Sequence, residues 1–519
     1  MATRAQFEAA IAAGYSFAGG VLKIGNGLYD GEVAAGAAVY LPLKMLNRHG
    51  LIAGATGTGK TKTLQLLSEG LSNASVPVLV LDIKGDLSGL GAAGTPNAKL
   101  EERAQKLGAA YAPQAFPVEL LTLTDAPGLR LRATVSEFGP VLLVKILSLN
   151  DTQGSIVALI FKYCDDNQLP LLDLKDFIKV LQYITAEGKP EIEKAYGKIS
   201  TTSTGTILRK VIELQQQGAD RFFGERSFDV DDLMRIAEDG RGIISILRVT
   251  ELQDRPKLFS TFMLQLLAEL YATAPEEGDL DKPKLVLFID EAHLLFNDAT
   301  KVLLDQMETV IKLIRSKGIG IFFCTQNPMD VPPAILSQLG MKVQHALRAF
   351  TAADRKTIKQ AAENYPETAF YKTETLLTEL GIGEALVTAL NERGVPTPLV
   401  HTMLLPPASR MDVLSASEVE GLVNRSKLAA KYNTTVDSES AYEILNEKLA
   451  QAEQRTQQLQ QAQADAKAAK KATTKQEKSW LDNPMVRSAG RTAATIITRS
   501  LLGVLGLGGT TRRRNKSLF

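Results

Sequence analysis

The feature that most constrains this chain is a glycine-rich loop in its first hundred residues. The loop reads Gly54-Ala55-Thr56-Gly57-Thr58-Gly59-Lys60-Thr61. It follows an apolar run at 51–53 and precedes a segment, 62–71, whose pattern predicts a helix. Glycines let the backbone wrap closely around an anion, and the N–H groups of the loop and of the helix N-terminus point at it. The spacing and its strand, loop and helix context therefore predict a phosphate-binding (Walker A) loop.

Such a loop gives its residues distinct expected roles. The Lys60 ammonium should reach the β- and γ-phosphates of a nucleoside triphosphate, and the Thr61 hydroxyl should ligate Mg²⁺. Thr63, on the following helical turn, is a further candidate contact. All eight residues from Gly54 to Thr61 are candidate nucleotide ligands.

A second anchor is the segment 284–289, which contains the apolar run 285–289 and is followed directly by Asp290 and Glu291. This pattern predicts a Walker B strand, in which Asp290 holds Mg²⁺ through water and Glu291 orients or deprotonates the attacking water. Enzymes that transfer a phosphoryl group to a substrate must exclude water. A glutamate directly after the Mg²⁺-binding aspartate therefore indicates hydrolysis.

Two further strand ends carry polar candidates. Gln326 follows the predicted strand 318–325, beside the Walker B strand, where it can bond both the γ-phosphate and the lytic water; the alternative is a simple strand cap. Asp82 ends the apolar run 76–81, which is typical of a strand buried on both faces of a parallel sheet. Asp82 and Asp86 are candidates for contacts to Mg²⁺-bound water, with a turn carboxylate as the alternative.

Three arginines are candidates to reach the nucleotide of a neighbouring subunit: Arg315, Arg348 and Arg355. An arginine can neutralise the charge that develops during phosphoryl transfer. Ordinary surface ion pairing is the alternative for each.

The pattern along the chain predicts an α/β fold with a mostly parallel central sheet, a helical insertion and a helical tail. The expected segments are a short β-rich start (1–45), the first part of a nucleotide-binding core (46–140), a mostly helical insertion (141–240), the second part of the core (241–405) and a Gln/Ala-rich, basic and partly disordered tail (406–519). Residues 451–519 contain 13 Lys/Arg and 4 Asp/Glu, whereas the whole chain has a net charge of +1. Two interpretations of this basic charge stay open: the tail binds an anionic partner, or its charges form a solvated surface.

Composition favours a reducing compartment. The two cysteines, Cys164 and Cys324, have no metal-binding spacing. The first residues lack the pattern of a signal peptide, and no apolar run reaches the ~18 residues of a membrane span. The expected location is the cytoplasm.

Several short sequence segments resemble those of a known family. They lie at 48–61, 221–225, 288–296, 314–318 with 325–328, and 344–351. With the loop, the doubled acid and the strand-end glutamine in this order, the chain resembles the HerA and FtsK branch of P-loop motor ATPases, and most of all the bacterial HerA-like (YjgR-like) family.

The resemblance implies a RecA-like P-loop NTPase core in a homo-oligomer, with a hexameric ring favoured and ATP and Mg²⁺ bound between subunits. It also implies that ATP hydrolysis drives translocation on double-stranded DNA. Archaeal HerA has an N-terminal barrel that helps it dock a nuclease, and some fifty residues before the loop do not hold a full one, so a nuclease partner is disfavoured. Two alternatives stay open: a nucleotide-dependent scaffold or switch, and a membrane-associated ATPase that acts through the amphipathic tail.

Overall fold

The computed structural model describes residues 3–250, 255–278, 280–297 and 301–481. Its strands are β1 (Val21–Tyr29), β2 (Glu32–Pro42), β3 (Gly50–Ala53), β4 (Val78–Asp82), β5 (Val118–Thr122), β6 (Leu129–Arg130), β7 (Ile244–Arg248), β8 (Leu285–Ile289), β9 (Ile319–Thr325), β10 (Met341–Gln344), β11 (Glu384–Thr388) and β12 (Val400–Leu404). Its helices are α1 (Arg4–Gly14), α2 (Lys60–Asn73), α3 (Ala98–Lys106), α4 (Val135–Ile146), α5 (Asp151–Asp166), α6 (Leu174–Thr185), α7 (Lys189–Ala195), α8 (Thr201–Gln216), α9 (Pro256–Thr273), α10 (Ala292–Asn297), α11 (Lys301–Ile314), α12 (Pro333–Leu336), α13 (Ala352–Glu363), α14 (Thr373–Glu379), α15 (Ala416–Arg425), α16 (Ala429–Tyr432) and α17 (Ala441–Leu481).

Within the described ranges, all twelve strands join one sheet in the order β2-β1-β12-β11-β10-β3-β9-β8-β4-β7-β5-β6. From β10 to β6 every neighbouring pair is parallel. The central strands β4 and β8 are buried at every position, as expected for apolar runs covered by helices on both faces. The predicted α/β class with a mostly parallel sheet is confirmed.

The other end of the sheet is antiparallel. β11 and β12 form an antiparallel pair, β12 pairs with β1, and β1 pairs with β2. The short β-rich start of the chain therefore extends the same sheet, and the segment after α14 returns to join it.

The helices between β6 and β7 form the predicted insertion. Helix α4 begins at Val135, where Thr134 and Glu137 form a capping box, and it is interrupted at Gly139, whose φ is 74°. The start of α17 contacts the insertion, since the buried Asp176 carboxylate accepts the Tyr442 N–H at 3.0 Å.

The chain divides into two units, the first ending at Ile444 and the second beginning at Leu445. The described part of the second unit is the remainder of α17, a helix with mostly exposed polar residues. Residues 482–519 of the basic tail, and the expectations that depend on them, lie outside the described residues. Among the helices that the structure describes, none combines the length and apolar character needed to cross a membrane.

Candidate functional site

Four candidate segments meet at one edge of the sheet. Strands β3, β9, β8 and β4 are consecutive and parallel, so their carboxyl ends lie side by side. These ends are followed by the glycine-rich loop, Gln326, the Asp290-Glu291 pair and the turn after Asp82. The order places the glutamine strand between the loop strand and the two acids.

The loop is anchored to its neighbours at its base. The Gly54 N–H donates to Thr325 O at 3.2 Å, and the Ala55 N–H donates to Ala346 O at 2.8 Å. At its far end the Gly383 N–H donates to Thr58 O at 3.0 Å. Thr56, at the tip, is exposed. The loop is therefore a fixed cradle whose tip is open to a ligand.

Lys60 is the first residue of α2 and is buried. Its ammonium donates to Gly54 O at 2.7 Å and to Ala55 O at 3.2 Å. Burial lowers its pKa, and the carboxylate of Glu291 opposes that shift. The ammonium thus lies against the loop and next to the acids, where an anionic ligand would replace weak carbonyl acceptors with charged ones.

The two threonines of α2 have different surroundings. Thr61 is half-buried. Thr63 is buried, and its hydroxyl lies 2.8 Å from Nε2 of His345, whose Nδ1 lies 2.9 Å from Glu384 O. Burial lowers the pKa of His345 to about 4, so this ring is neutral at physiological pH. The Thr63 hydroxyl is engaged with the scaffold behind the loop, a contact that the sequence did not indicate.

Three carboxylates cluster beside the loop. Asp82, Asp86 and Asp290 each offer a ligand oxygen, and these oxygens lie within 4.8 Å of one another. Oδ2 of the buried Asp290 has no hydrogen-bond partner among the described residues. Burial, and next the charge of Glu291, raise the pKa of Asp290 to about 7. A cluster of three carboxylates, two of them buried and one half-buried, with an unpaired oxygen has the donor chemistry that a hard divalent cation prefers.

Asp82 also shapes the turn that follows β4. Its carboxylate accepts the N–H groups of Gly85 at 2.7 Å, Asp86 at 3.3 Å and Leu87 at 3.1 Å. Burial raises its pKa to about 6. Of the two interpretations offered for Asp82, the structure therefore shows the turn contacts, and it places the carboxylate next to Asp290 as well.

Glu291 follows with a left-handed backbone, φ 44°, and a buried side chain. Its Oε1 is ion-paired with Lys84, and its Oε2 lies 3.1 Å from His293 Nδ1. Gln326 Nε2 donates to the same Oε2 at 3.4 Å. Burial opposes ionisation, but the Lys84 hydrogen bond and charge outweigh it and lower the pKa of Glu291.

Lys84 is the residue that sequence reasoning missed. The available signal was its position, two residues after Asp82 at a strand end facing the ligand edge. Its pairing with Glu291 depends on β4 lying next to β8, which the sequence does not specify locally.

The three candidate arginines lie in different places. Arg348 is exposed, donates to Thr378 O at 3.1 Å, and lines a cavity of about 390 Å³ together with Thr56 and Gln326. Arg355 is exposed on α13. Arg315 precedes β9 and lines a separate cavity of about 360 Å³ at the amino ends of the strands.

His49 lines the same second cavity, and both of its ring nitrogens face backbone groups. Nε2 lies 2.8 Å from Ile311 O, and Nδ1 accepts the Ile321 N–H at 3.0 Å. These contacts give it a packing and hydrogen-bonding role.

Comparison with known proteins gives one family. The family described as Helicase HerA-like C-terminal matches residues 29–514. The chain is similar to the DNA double-strand break repair helicase HerA of Sulfolobus acidocaldarius, with 22% identity over 379 residues that cover 72% of this chain and 67% of the relative. The protein of the same name from Saccharolobus solfataricus is 22% identical over 368 residues, which cover 69% of this chain and 66% of the relative. The chain thus spans about two thirds of the length of these relatives.

Among solved structures, the chain is similar to the bacterial conjugative coupling protein TrwBdeltaN70 in its unbound monoclinic form. The TM-score is 0.51 at 14% identity, and the match covers 78% of this chain and 95% of the other. At this identity the likeness concerns the fold, and it confirms the predicted RecA-like P-loop core.

Proposed function

The chain belongs to the Helicase HerA-like C-terminal family, as its motifs predicted, and from that premise we propose that it is an ATP-hydrolysing motor that acts on double-stranded DNA as a translocase or helicase. One observation carries the proposal. The glycine-rich loop, the Asp290-Glu291 pair and Gln326 stand at the ends of three consecutive parallel strands. A phosphate cradle, a cation ligand and a candidate base therefore share one edge of the sheet.

ATP binds with its phosphates in the loop from Gly54 to Thr61. Backbone N–H groups of the loop and of the first turn of α2 surround the phosphates. Lys60 exchanges its carbonyl contacts for phosphate oxygens, to which an ammonium bonds more strongly.

Thr61 and Asp290 would hold Mg²⁺, and Asp82 and Asp86 would contact its bound waters. Bound there, the ion would neutralise charge on the phosphates. The support is the unpaired Oδ2 of Asp290 and the spacing of the three carboxylates.

Glu291 acts as the general base. Its buried carboxylate stays ionised beside Lys84 and can accept a proton from water. Gln326 bonds the same carboxylate and can present its amide to that water, which orients it for attack.

The HerA and FtsK resemblance supplies the rest of the proposal. By this resemblance we propose that the nucleotide lies between subunits of a hexameric ring and that an arginine of the neighbouring subunit completes the site. The two archaeal relatives are named as DNA double-strand break repair helicases, which favours duplex DNA as the polymer.

The test is ATP turnover of the full chain with and without duplex DNA over a series of salt concentrations. We expect DNA to stimulate turnover, and the stimulation to fall as salt rises, because phosphate contacts release counterions. Lys60→Ala, measured in parallel, controls for contaminating ATPases. Absence of turnover would contradict the whole proposal, whereas turnover that ignores DNA at every salt concentration would favour a nucleotide-dependent switch.

A further inference from the structure

Lys84 holds one oxygen of the proposed catalytic base. It lies on the turn between β4 and Asp86, and its ammonium is ion-paired with Oε1 of Glu291. The Glu291 side chain is 4% exposed and that of Lys84 is 37% exposed. The lysine therefore reaches from the surface to a carboxylate that cannot turn towards bulk water.

The turn gives Lys84 little freedom of its own. Asp82, two residues before it at the end of the strand, accepts N–H groups of the three residues from Gly85 to Leu87. Because β4 is paired in register with β8, the turn is fixed relative to the Asp290-Glu291 segment. The ion pair thus joins two rigid strand ends.

The two oxygens of Glu291 consequently have different surroundings. Oε1 faces the lysine, whereas Oε2 faces His293 Nδ1 at 3.1 Å and Gln326 Nε2 at 3.4 Å. A carboxylate free to rotate would present either oxygen to a water molecule. A carboxylate tethered at Oε1 presents only Oε2, on the side of the glutamine.

We propose that Lys84 is a positioning residue that tethers Glu291 through Oε1, so that Oε2, beside Gln326, is the oxygen that takes the proton from the attacking water. The inference rests on the proposed ATP hydrolysis. It adds a residue that no sequence motif supplied, and it gives the two carboxylate oxygens separate tasks. In the proton transfer, the water O–H bond breaks and a new O–H bond forms at Oε2. The hydroxide oxygen bonds to the γ-phosphorus as the bond from that phosphorus to the β,γ-bridging oxygen breaks, so that ADP leaves with the electron pair of the broken bond.

The experiment compares the full chain with Lys84→Met, which keeps the length of the side chain without its charge, and Lys84→Arg, which keeps the charge. The matched control is Lys427→Met, which removes an exposed lysine paired with Glu238 far along the chain. Steady-state kinetics give kcat and KM for ATP, and a fluorescent ATP analogue reports nucleotide affinity separately.

For Lys84→Met we expect kcat to fall about tenfold or more, while KM and nucleotide affinity change less than about twofold, because misplacing a general base affects the transition state and not ground-state binding. Lys84→Arg should recover most of the lost kcat. In the Glu291→Gln background, Lys84→Met should not lower kcat any further, because Lys84 acts only through the Glu291 carboxylate.

Other results overturn the inference. A parental or higher kcat in Lys84→Met would mean that the lysine does not assist the base, and an equal loss of kcat and nucleotide affinity would indicate a general structural role. A further loss in the Glu291→Gln background would also exclude action through Glu291. If the parental chain has no ATP turnover, the proposed function itself fails. This outcome is distinct from the failure of the inference about Lys84, in which the parental chain is active and Lys84→Met has the same kcat.

Discussion

Lys60 and Glu291 serve different stages of the proposed reaction, and their substitution separates those stages. Lys60→Ala removes the ammonium that contacts the loop, so it should abolish nucleotide binding or turnover. Glu291→Gln keeps the shape of the side chain and removes its basicity. It should bind ATP with parental affinity and hydrolyse it ~10²-fold more slowly or worse.

Both variants are measured by turnover and by equilibrium binding of a fluorescent ATP analogue. Normal hydrolysis by Glu291→Gln would disprove the assignment of the base, and it would point to His293 instead, since its imidazole contacts the same carboxylate.

Gly54 and Gly57 form a matched pair for the geometry of the loop. Both have a positive φ, 154° and 79°, so an alanine is strained at either position. A Cβ at Gly54 would also lie 2.5 Å from His345 Cβ, whereas a Cβ at Gly57 has no heavy atom within 4 Å among those described.

We therefore expect Gly54→Ala to lower both thermal stability and nucleotide affinity strongly. Gly57→Ala should show only the backbone strain, about 1–3 kcal/mol. Thermal unfolding of the nucleotide-free proteins, followed by nucleotide titration, makes the comparison. Equal effects would mean that the His345 contact relaxes at no cost.

Helix α2 carries a buried carboxylate that holds the chain segment after β12. Glu69 accepts the N–H groups of Ala408 at 2.8 Å and Ser409 at 3.0 Å, which fixes the segment after β12 against the helix. Burial raises the pKa of Glu69, although the Ser409 hydroxyl and both N–H groups oppose the shift.

Glu69→Ala should destabilise the fold by about 2–4 kcal/mol, because the buried Ser409 N–H and the half-buried Ala408 N–H lose their acceptor. Glu69→Gln retains an acceptor oxygen and should lose less. Urea unfolding measures both, with the exposed Glu238→Ala as the control, which should stay within ~0.5 kcal/mol of the parent. A Glu69→Ala protein as stable as this control would show that the segment is held by its apolar contacts alone.

The elements of the core were predictable where the sequence is locally consistent. The apolar run ending at Asp82 and the run before Asp290 became β4 and β8, and the helix predicted at 62–71 became α2. Each of these elements is specified by the hydrophobic pattern of its own segment. Helix α4 differs, since Thr134 and Glu137 cap it ahead of the expected start at 141, while Pro140 suggests a boundary inside it.

The contacts of the site required the tertiary arrangement. Glu291 meets Lys84 only because β4 pairs with β8, and Thr63 meets His345 only because β10 pairs with β3. No local pattern links residues 84 and 291, or 63 and 345. The sequence could therefore predict which strand-end residues belong to the site, but not which side chains contact and orient them.

The whole assembly decides which arginine completes the site. Gln326 and Arg315 flank β9 at opposite ends, and a seven-residue strand spans roughly 20 Å. Arg315 is thus too far from the loop of its own chain to contact the nucleotide there, so any contact must be with a neighbour's nucleotide. Arg348 lines a cavity together with Thr56 of its own loop.

These positions predict different outcomes when inactive subunits are mixed. Arg315→Ala should bind ATP but lose turnover, and mixing it with Lys60→Ala should restore part of the activity, because one subunit supplies an intact loop and the other an intact arginine. Light scattering with ATP and Mg²⁺ should show a mass close to six copies of the 56.2 kDa chain in each sample.

A mixture of Arg348→Ala with Lys60→Ala should regain no ATP turnover if Arg348 acts only in its own subunit. Recovery with Arg348→Ala and none with Arg315→Ala would reverse the assignment, because mixed rings regain turnover only through a residue that acts across the subunit boundary.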